Sequence, residues 1–386
     1  MEPEIHRPQP EAPLAGMNAA AHSPETVAPS LGERIVGWLN WTLIGPHGLR
    51  AGWSALIFFI LLGFIGAVAG FVFVLLHLID FSKQYSPTAP SAFFNELIAF
   101  LSLVGAASLM ALIESRRSLL AFNLTGPRRI PHFLSGLAVG FLALSALVGV
   151  LNWGGWLHFG PVALSGAEIF KYGALWAAAF LLVGCVEEVT FRGYLQFTLT
   201  RGINFWWALG AVGTACLILR FAVTGNGVWG VYLAALLGLF PCLILHIRKT
   251  PRSGFWQAAW AASTLFGFIH TGNGGENWIG IFAAALIGFV FCVSVRLTGS
   301  LWWAVGCHAA WDWSETFFYG TADSGMVATG HYLTATVTGN ALWSGGADGP
   351  EGSLLVLAVV LLLLVALLVI YGHRKPAVHF AEEAAR

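Results

Sequence analysis

Two adjacent glutamates and an arginine occur where an apolar segment of the chain would otherwise continue. Glu187, Glu188 and Arg192 lie in CVEEVTFRGYLQ, immediately after the uncharged run YGALWAAAFLLVG. Ionised side chains in such surroundings are costly unless they are paired or have a function. These three residues are therefore the first candidates for chemistry in this sequence.

Helical phase separates the roles of these residues. Glu188 and Arg192 are four residues apart, so on a helix they share a face and can form an ion pair. Glu187 lies about 100° around the helix from that face. We therefore expect Glu187 to be the free carboxylate, suited to accept a proton from water. A Glu–Arg pair at this spacing is more often structural than catalytic, so we interpret Glu188 and Arg192 as structural support.

Three further polar side chains interrupt later apolar segments. His270 ends STLFGFIH, and His308 and Asp312 lie four residues apart in VGCHAAWDW. With a rise of about 1.5 Å per residue, these side chains and Glu187 lie roughly 14–24 Å into their segments from the cytoplasmic ends. A lone histidine at a helix end is commonly a capping residue, but the similar depth favours one shared site. Glu315, one turn beyond Asp312, could join that site.

Membrane helices must position these residues. Of the 386 residues, 57% are hydrophobic and 10% are charged, whereas soluble domains carry about a quarter charged residues. The sequence predicts an all-α polytopic membrane protein with about ten (8–10) transmembrane helices, because apolar runs of about 20 residues can span a bilayer. The candidate spans are residues 53–79, 93–114, 133–152, 172–200, 205–223, 228–247, 256–270, 277–296, 300–318 and 353–372.

The distribution of Lys and Arg predicts the orientation. If the N-terminus is cytoplasmic and ten spans alternate, sixteen of these residues lie on the cytoplasmic side and three (Lys83, Lys171 and Arg220) outside. This bias predicts an integral protein of the bacterial inner (plasma) membrane with both termini in the cytoplasm. We interpret residues 1–34 as a disordered cytoplasmic tail, 35–171 as N-terminal membrane helices, 319–352 as an external loop, and 353–386 as the final membrane helix and cytoplasmic tail.

Composition argues against several functional classes. The formal net charge is zero, so there is no electrostatic case for a nucleic-acid partner. The five cysteines all fall inside apolar runs without paired spacing. This pattern indicates free thiols and suggests neither a disulfide framework nor a metal knuckle.

Three motifs in the chain resemble a known family. EEVTFR matches the EExxxR motif, FGFIH the FxxxH motif and HAAWD the HxxxN/D motif of the CAAX-protease and bacteriocin-processing (CPBP, or ABI) family. That family contains multi-pass intramembrane proteases, and RGYLQ and RLTGSLWWAVGCHAAWD also look like its bacterial members. Each motif alone is short, but three in the family's order, each at a predicted membrane helix, make the resemblance specific. Residues 172–318 would form the protease core.

The resemblance implies a role for each candidate residue. Glu187 and His270 would activate a water for attack on a peptide carbonyl, while His308 and Asp312 would stabilise the tetrahedral oxyanion. Glu188 would pair with Arg192. The implied protein is a glutamic intramembrane endopeptidase without a cofactor. Its expected partners are the membrane lipid bilayer and a peptide or membrane-protein substrate, without nucleic acid. A prenylated substrate is not implied.

Two features depart from the family pattern. Position 312 is Asp, whereas the prenyl-protein proteases of the family have Asn there. An ionised carboxylate would repel an oxyanion, so Asp312 must be protonated or must instead orient His308. Glu187 and His270 are also 83 residues apart, farther than the family usually separates these motifs. We attribute the excess to an inserted helical hairpin at about 205–247.

Two alternatives stay open at this point. The histidines and carboxylates could ligate zinc and leave a position open for water, which would make the protein a zinc-dependent variant of the protease. The HExxH motif of intramembrane zinc proteases is absent. The second alternative is a non-proteolytic scaffold, immunity factor or transporter, because intramembrane acids and histidines also form proton relays.

Overall fold

The computed structural model describes residues 30–46, 48–79, 88–116 and 118–373. The predicted N-terminal tail up to residue 29 and the predicted C-terminal tail from residue 374 lie outside this range. Residues 31–34, which the sequence analysis assigned to the tail, belong to helix α1 (Leu31–Leu43). The backbone N–H and hydroxyl of Ser30 donate to Glu33 at 2.7 and 2.9 Å, and this cap explains why the helix begins there. Residues 30–42 belong to one compact unit, and the described residues from Leu43 onward form a second.

The second unit is built of long helices and a few very short strands. Its helices are α2 (Ala51–Leu75), α3 (Ala89–Ile113), α4 (Arg129–Trp153), α5 (Ala167–Glu188), α6 (Gln196–Thr200), α7 (Phe205–Ala222), α8 (Gly227–Ile247), α9 (Gly254–Ile269), α10 (Trp278–Thr298), α11 (Trp302–Trp313), α12 (Ala341–Ser344) and α13 (Leu354–Tyr371). The antiparallel strand pairs are β1 (Ile44–Gly45) with β2 (Gly48–Leu49), and β3 (Leu157–Phe159) with β4 (Ala335–Val337). Short 3₁₀ helices cover Leu119–Ala121, His270–Gly272 and Pro350–Gly352.

The all-α polytopic membrane architecture is confirmed. Within the described residues, eight helices are long and apolar enough to span a bilayer: α2, α3, α4, the α5–α6 rod, α7, α8, α10 and α13. The other two predicted spans are also helical, but α9 has 16 residues and α11 has 12. Large apolar side chains such as Phe64, Phe71 and Leu361 are more than half exposed. In a bilayer these surfaces would face lipid.

Two π-helical segments interrupt the regular helices next to candidate site residues. Val189–Leu195 joins α5 to α6, and Ser314–Tyr319 continues α11. A π-segment leaves some backbone groups without their usual helical partners. The side-chain amide of Asn123 donates to the Arg192 carbonyl at 2.8 Å, so one such group is satisfied from a neighbouring loop.

Glycines allow α11 to lie directly against α4. A Cβ at Gly140 would overlap the Cys307 carbonyl, one at Gly136 the Trp303 carbonyl, and one at Gly306 the Phe133 carbonyl. The two helix backbones therefore touch where bulkier residues would separate them. This contact fixes the position of the helix that carries His308 and Asp312.

The predicted hairpin at about 205–247 consists of α7 and α8. Both helices pack against α9, and α8 also packs against α10. Buried side chains such as Val212, Val231 and Ala261 form the core between them. These two helices thus form an additional layer packed against α9.

The segment at residues 319–352, predicted to be an external loop, is more ordered than its Gly-, Thr- and Ser-rich sequence suggested. Its strand β4 pairs with β3, and Trp343 of α12 stacks on Trp156 with ring centroids 5.6 Å apart. Asp348 is fully buried and accepts a hydrogen bond from the Asn277 backbone at 3.1 Å. The order comes from contacts with residues far away in sequence, which a local pattern does not reveal.

Candidate active site

One carboxylate oxygen joins two of the predicted motifs. Glu188 Oε1 lies 3.0 Å from Arg192 Nη1 and 2.9 Å from His308 Nδ1. The side chains of Glu188 and Arg192 are fully buried. The predicted Glu188–Arg192 pair is therefore present, and it extends to His308 on α11. Sequence reasoning missed this extension.

The contact with Glu188 orients the imidazole of His308. A carboxylate accepts hydrogen bonds, so Nδ1 of His308 carries a proton and donates a hydrogen bond to Glu188. The other nitrogen, Nε2, lies 3.7 Å from Glu187 Oε2 and 3.5 Å from Asp312 Oδ2. Glu187 and Asp312 thus approach the same end of the ring, opposite the buried Glu188–Arg192 pair.

Glu187 differs from its neighbour in exposure. Its side chain is 27% exposed, whereas that of Glu188 is fully buried. Helical phase predicted this difference between adjacent residues.

His270 occupies the first position of the 3₁₀ turn that follows α9. Its Nδ1 lies 2.8 Å from the Phe266 carbonyl oxygen. A carbonyl can only accept, so this bond assigns the proton to Nδ1 and leaves the Nε2 lone pair of neutral His270 available. The predicted capping interaction and a chemical role are therefore compatible, since they use different nitrogens.

The four predicted catalytic residues line one cavity. Its volume is about 340 Å³, and Glu187, His270, His308 and Asp312 all contribute to its wall. In the part of the chain that the structure describes, Glu187 and His270 form no direct ion pair within 4 Å. A cavity of this size holds several waters. No residue of the α7–α8 hairpin lines it, so the insertion does not intrude on the site.

Aromatic rings enclose the buried arginine. The Arg192 guanidinium carbon lies 4.0 Å from the centroid of the Phe266 ring and 5.4 Å from that of Phe291. Phe266 also contacts the His270 ring at 4.7 Å. A Cβ at Gly288 would lie 2.6 Å from Arg192 Nη2. Phe266 and Gly288 thus shape the space that holds the Glu188–Arg192 pair.

Several acidic side chains near the cavity were not predicted as site residues. Glu96 of α3 lines it, and so do Glu276, Asp323 and Glu351 from the segments before α10, after α11 and before α13. Glu96 could have been found, since it is an isolated acid in a predicted span. The other three lie in loops, where carboxylates are common and carry no signal. Glu315, considered from the sequence, is fully buried and does not line the cavity.

Burial alters the acidity of the loop carboxyls. The pKa of Glu276 is raised by burial and by the nearby Asp348 and Glu351 carboxylates. Burial also raises the pKa of Asp348, against the lowering effect of its hydrogen bond from Asn277. These residues lie in the loops before α10 and α13.

A close group of potential metal ligands is formed by residues other than the four predicted catalytic ones. Among the described residues, the group of three or more such side chains is Glu315, Asp323 and Glu351. The imidazoles of His270 and His308 do not belong to it.

Comparison with known proteins gives one match. The profile of the family described as Type II CAAX prenyl endopeptidase Rce1-like matches residues 242–314. This range includes His270, His308 and Asp312, and it excludes Glu187, Glu188 and Arg192. No curated protein and no solved structure matches the chain.

Proposed function

Given that the chain belongs to the CAAX-protease and bacteriocin-processing family of intramembrane proteases, we propose that it is a glutamic endopeptidase. It hydrolyses a peptide bond of a membrane-associated or peptide substrate. The observation that carries this proposal is the convergence of Glu187, His270, His308 and Asp312 on one cavity. These residues come from three segments that are far apart in sequence.

In the proposed reaction, Glu187 acts as the general base. A water between Glu187 and His270 gives a proton to the Glu187 carboxylate and its oxygen attacks the peptide carbonyl. The Nε2 lone pair of His270 accepts the second hydrogen bond of the water and orients it. Glu187 then returns the proton to the leaving amine.

His308 and Asp312 stabilise the oxyanion. Nδ1 of His308 already donates to Glu188, so His308 must carry both ring protons to donate from Nε2 as well. The carboxylates of Glu188 and Glu187 lie beside this cation and balance its charge. A donor fixed in advance at the developing oxyanion is the usual source of a large rate gain. Asp312 contributes as a protonated donor or by orienting His308.

The proposal is tested by a reaction whose readout does not require a known substrate. Purified protein in proteoliposomes is incubated in H₂¹⁸O with a library of membrane peptides, including prenylated ones. Hydrolysis creates new peptide termini and places one ¹⁸O in each new carboxylate, both detected by mass spectrometry. We expect Glu187→Gln and His270→Ala to lose at least about 10²-fold in rate.

Glu168→Gln is the matched control, because Glu168 is an exposed acid in the first turn of α5, the helix that carries Glu187. It should cleave like the unaltered protein. If folded Glu187→Gln and His270→Ala proteins retain full activity, the glutamic mechanism is wrong. If the unaltered protein cleaves nothing while a transport or immunity assay succeeds, the non-proteolytic alternative replaces the proposal.

A further inference from the structure

Three carboxylates from separate segments meet at the external side of the cavity. Each of Glu315, Asp323 and Glu351 offers an oxygen, and these oxygens lie within 4.8 Å of one another. Glu315 belongs to the π-segment after α11, Asp323 to the loop that follows, and Glu351 to the 3₁₀ helix before α13. We call these three residues the acidic triad.

Glu315 is the feature that distinguishes the acidic triad from an ordinary acidic surface. It is 0% exposed, and neither of its carboxylate oxygens has a hydrogen-bond partner among the residues that the structure describes. A buried carboxylate without a partner is strongly unfavourable, so such a group normally binds a cation or is neutralised. One oxygen of Glu315 lies within 4.8 Å of an oxygen of each of the other two carboxylates, so a cation shared by all three would supply the missing partner.

The protein supplies only neutral donors to the other two members. Asp323 accepts a hydrogen bond from Thr316 at 2.8 Å, and Glu351 accepts from Trp311 at 2.7 Å and Ser324 at 3.3 Å. Across the described residues, none of the three carboxylates forms an ion pair with Lys, Arg or His. The acidic triad therefore has no positive charge of its own.

We propose that the acidic triad binds a hard divalent cation, Ca²⁺ in preference to Mg²⁺. All three ligands are oxygens, as Ca²⁺ prefers. Oxygens that share one Ca²⁺ at 2.3–2.6 Å can be separated by up to roughly 4.6–5.2 Å, which accommodates the observed spacing. Mg²⁺ requires shorter bonds in a stricter octahedron, and it usually retains several waters instead of three protein carboxylates.

The bound cation would fasten the external loop over the cavity. Asp323 and Glu351 line the cavity, as do the neighbouring Ser324, Met326 and Ala328, while Glu315 anchors the cation to the end of α11. One ion thus connects the loop after α11, the turn before α13 and the helix that carries His308. Asp323 and Glu351 share the cavity with Glu187, but no member of the acidic triad has a role in the proposed hydrolysis, so the cation proposal does not depend on the protease proposal.

Terbium luminescence provides a direct test, because Tb³⁺ occupies Ca²⁺ sites and is sensitised by a nearby tryptophan. Trp311 Nε1 lies 2.7 Å from Glu351 Oε1, so excitation of tryptophan should produce Tb³⁺ emission from this site. With the full-length protein in detergent we expect saturable emission. Ca²⁺ should displace it at a concentration at least tenfold lower than Mg²⁺ does.

Isosteric amides identify the ligands. Glu315→Gln, Asp323→Asn and Glu351→Gln should each weaken Tb³⁺ binding at least tenfold. Glu276→Gln, a neighbouring loop acid outside the acidic triad, should bind within twofold of the unaltered protein. Emission that Ca²⁺ cannot displace, or equal binding by the triad variants and Glu276→Gln, would overturn the proposal.

If Glu315→Gln does not fold, the effect of Ca²⁺ on thermal stability provides a second test of the site. Ca²⁺ at 1 mM should raise the Tm of the unaltered protein and leave that of Asp323→Asn unchanged, since Asp323 lies in a loop. An equal shift in both would contradict the site. Glu187→Gln should bind Tb³⁺ normally, so loss of proteolysis and loss of cation binding are distinguishable.

Discussion

At the scale of single residues, the adjacent glutamates 187 and 188 have opposite environments. Glu188 is buried and bonded to both Arg192 and His308, whereas Glu187 is partly exposed at the cavity. Exchange of one carboxylate for an amide should therefore affect folding at position 188 and chemistry at position 187.

Glu188→Gln removes the negative charge beside a fully buried arginine. Breaking a buried ion pair from one side leaves the other charge uncompensated, which typically costs about 3–5 kcal/mol. We expect a loss of this size in the free energy of unfolding, measured by denaturant titration in detergent. Glu187→Gln should lose less than about 1 kcal/mol, because its side chain contacts the cavity. Equal losses for the two variants would contradict the division of roles.

Asp312→Asn tests the residue at which this chain departs from the prenyl-protein proteases. An amide can contact His308 Nε2 in place of the carboxylate, now 3.5 Å away, and it can donate to an oxyanion without being protonated. We expect the rate of peptide hydrolysis to stay within about tenfold. Asp312→Ala, which lacks any polar group, should lose about 10²–10³-fold. A larger loss for Asn than for Ala would show that the negative charge itself is required.

Much of this residue-scale arrangement follows from helical phase alone. Four-residue spacing predicted the Glu188–Arg192 ion pair and the common cavity of His308 and Asp312. The Glu188–His308 bond could not be predicted this way, because it joins residues 120 positions apart. Phase orders side chains within one helix, and the packing of α5 against α11 decides which of them meet.

At the scale of elements, the contact between α4 and α11 positions His308. A methyl group at Gly140 would overlap the Cys307 carbonyl, directly before His308 in the chain. Backbone atoms cannot move aside as a flexible side chain can, so α11 would have to shift as a whole.

We therefore expect Gly140→Ala to lower the hydrolysis rate at least tenfold and to reduce thermal stability. Gly149→Ala is the matched control in the same helix, because no atom of the described residues outside the local helix lies within 4 Å of a Cβ at that position. Replacing glycine by alanine within a helix is otherwise favourable by up to about 1 kcal/mol. If both variants behave alike, the close contact of α4 and α11 does not position the site.

The buried loop before α10 should make stability depend on pH through Glu276. Burial raises the pKa of this carboxyl above its usual 4.5, so the folded protein favours the protonated form. As pH rises above 4.5 the unfolded chain ionises more readily, and folding stability falls. Each unit of pKa elevation is worth about 1.4 kcal/mol once the pH exceeds both values.

Glu276→Gln cannot ionise and should escape this loss. We expect its Tm to match that of the unaltered protein at pH 4 and to exceed it at pH 8. Glu168→Gln, which removes an exposed acid, should show no such growing difference. A Glu276→Gln protein less stable than the unaltered one at pH 8 would contradict the assigned direction of the shift.

The π-segments mark the limit of prediction at this scale. The apolar runs predicted the position of every long helix, since each must present about 20 apolar residues to lipid. They gave no sign that Val189–Leu195 and Ser314–Tyr319 are π-helical. Nor did they reveal that residues 319–352 pack against the helices. These arrangements depend on side chains from other segments: Asn123 donates to the Arg192 carbonyl, and Asn277 donates to the carbonyls of Gly345 and Gly352.

At the scale of the whole molecule, the orientation of the chain in the membrane decides whether each site faces the cytoplasm or the outside. The excess of Lys and Arg in alternate loops predicts that both termini are cytoplasmic. The loop that contains Asp323 and the turn that contains Glu351 would then face the outside. Extracellular Ca²⁺ sites typically have dissociation constants of about 10⁻⁴–10⁻³ M, and a site of that strength can fill on this side of the membrane.

Helix α4 offers a matched pair of positions for testing this orientation. Its 25 residues extend about 37 Å, longer than the bilayer hydrocarbon of about 30 Å. Thr125 precedes the helix and Ser165 follows it, and both are exposed. In spheroplasts of a bacterial host, a membrane-impermeant maleimide should label Ser165→Cys directly and Thr125→Cys only after permeabilisation.

The unsubstituted protein controls for the five native thiols, which lie in helices and are partly or fully buried. The reverse labelling pattern would place the acidic triad in the cytoplasm, where Ca²⁺ is too scarce for a site of this affinity to fill. In that case the acidic triad would have to bind a cation that is abundant in the cytoplasm. The labelling result therefore decides whether Ca²⁺ is the ion to compare with Tb³⁺ at this site.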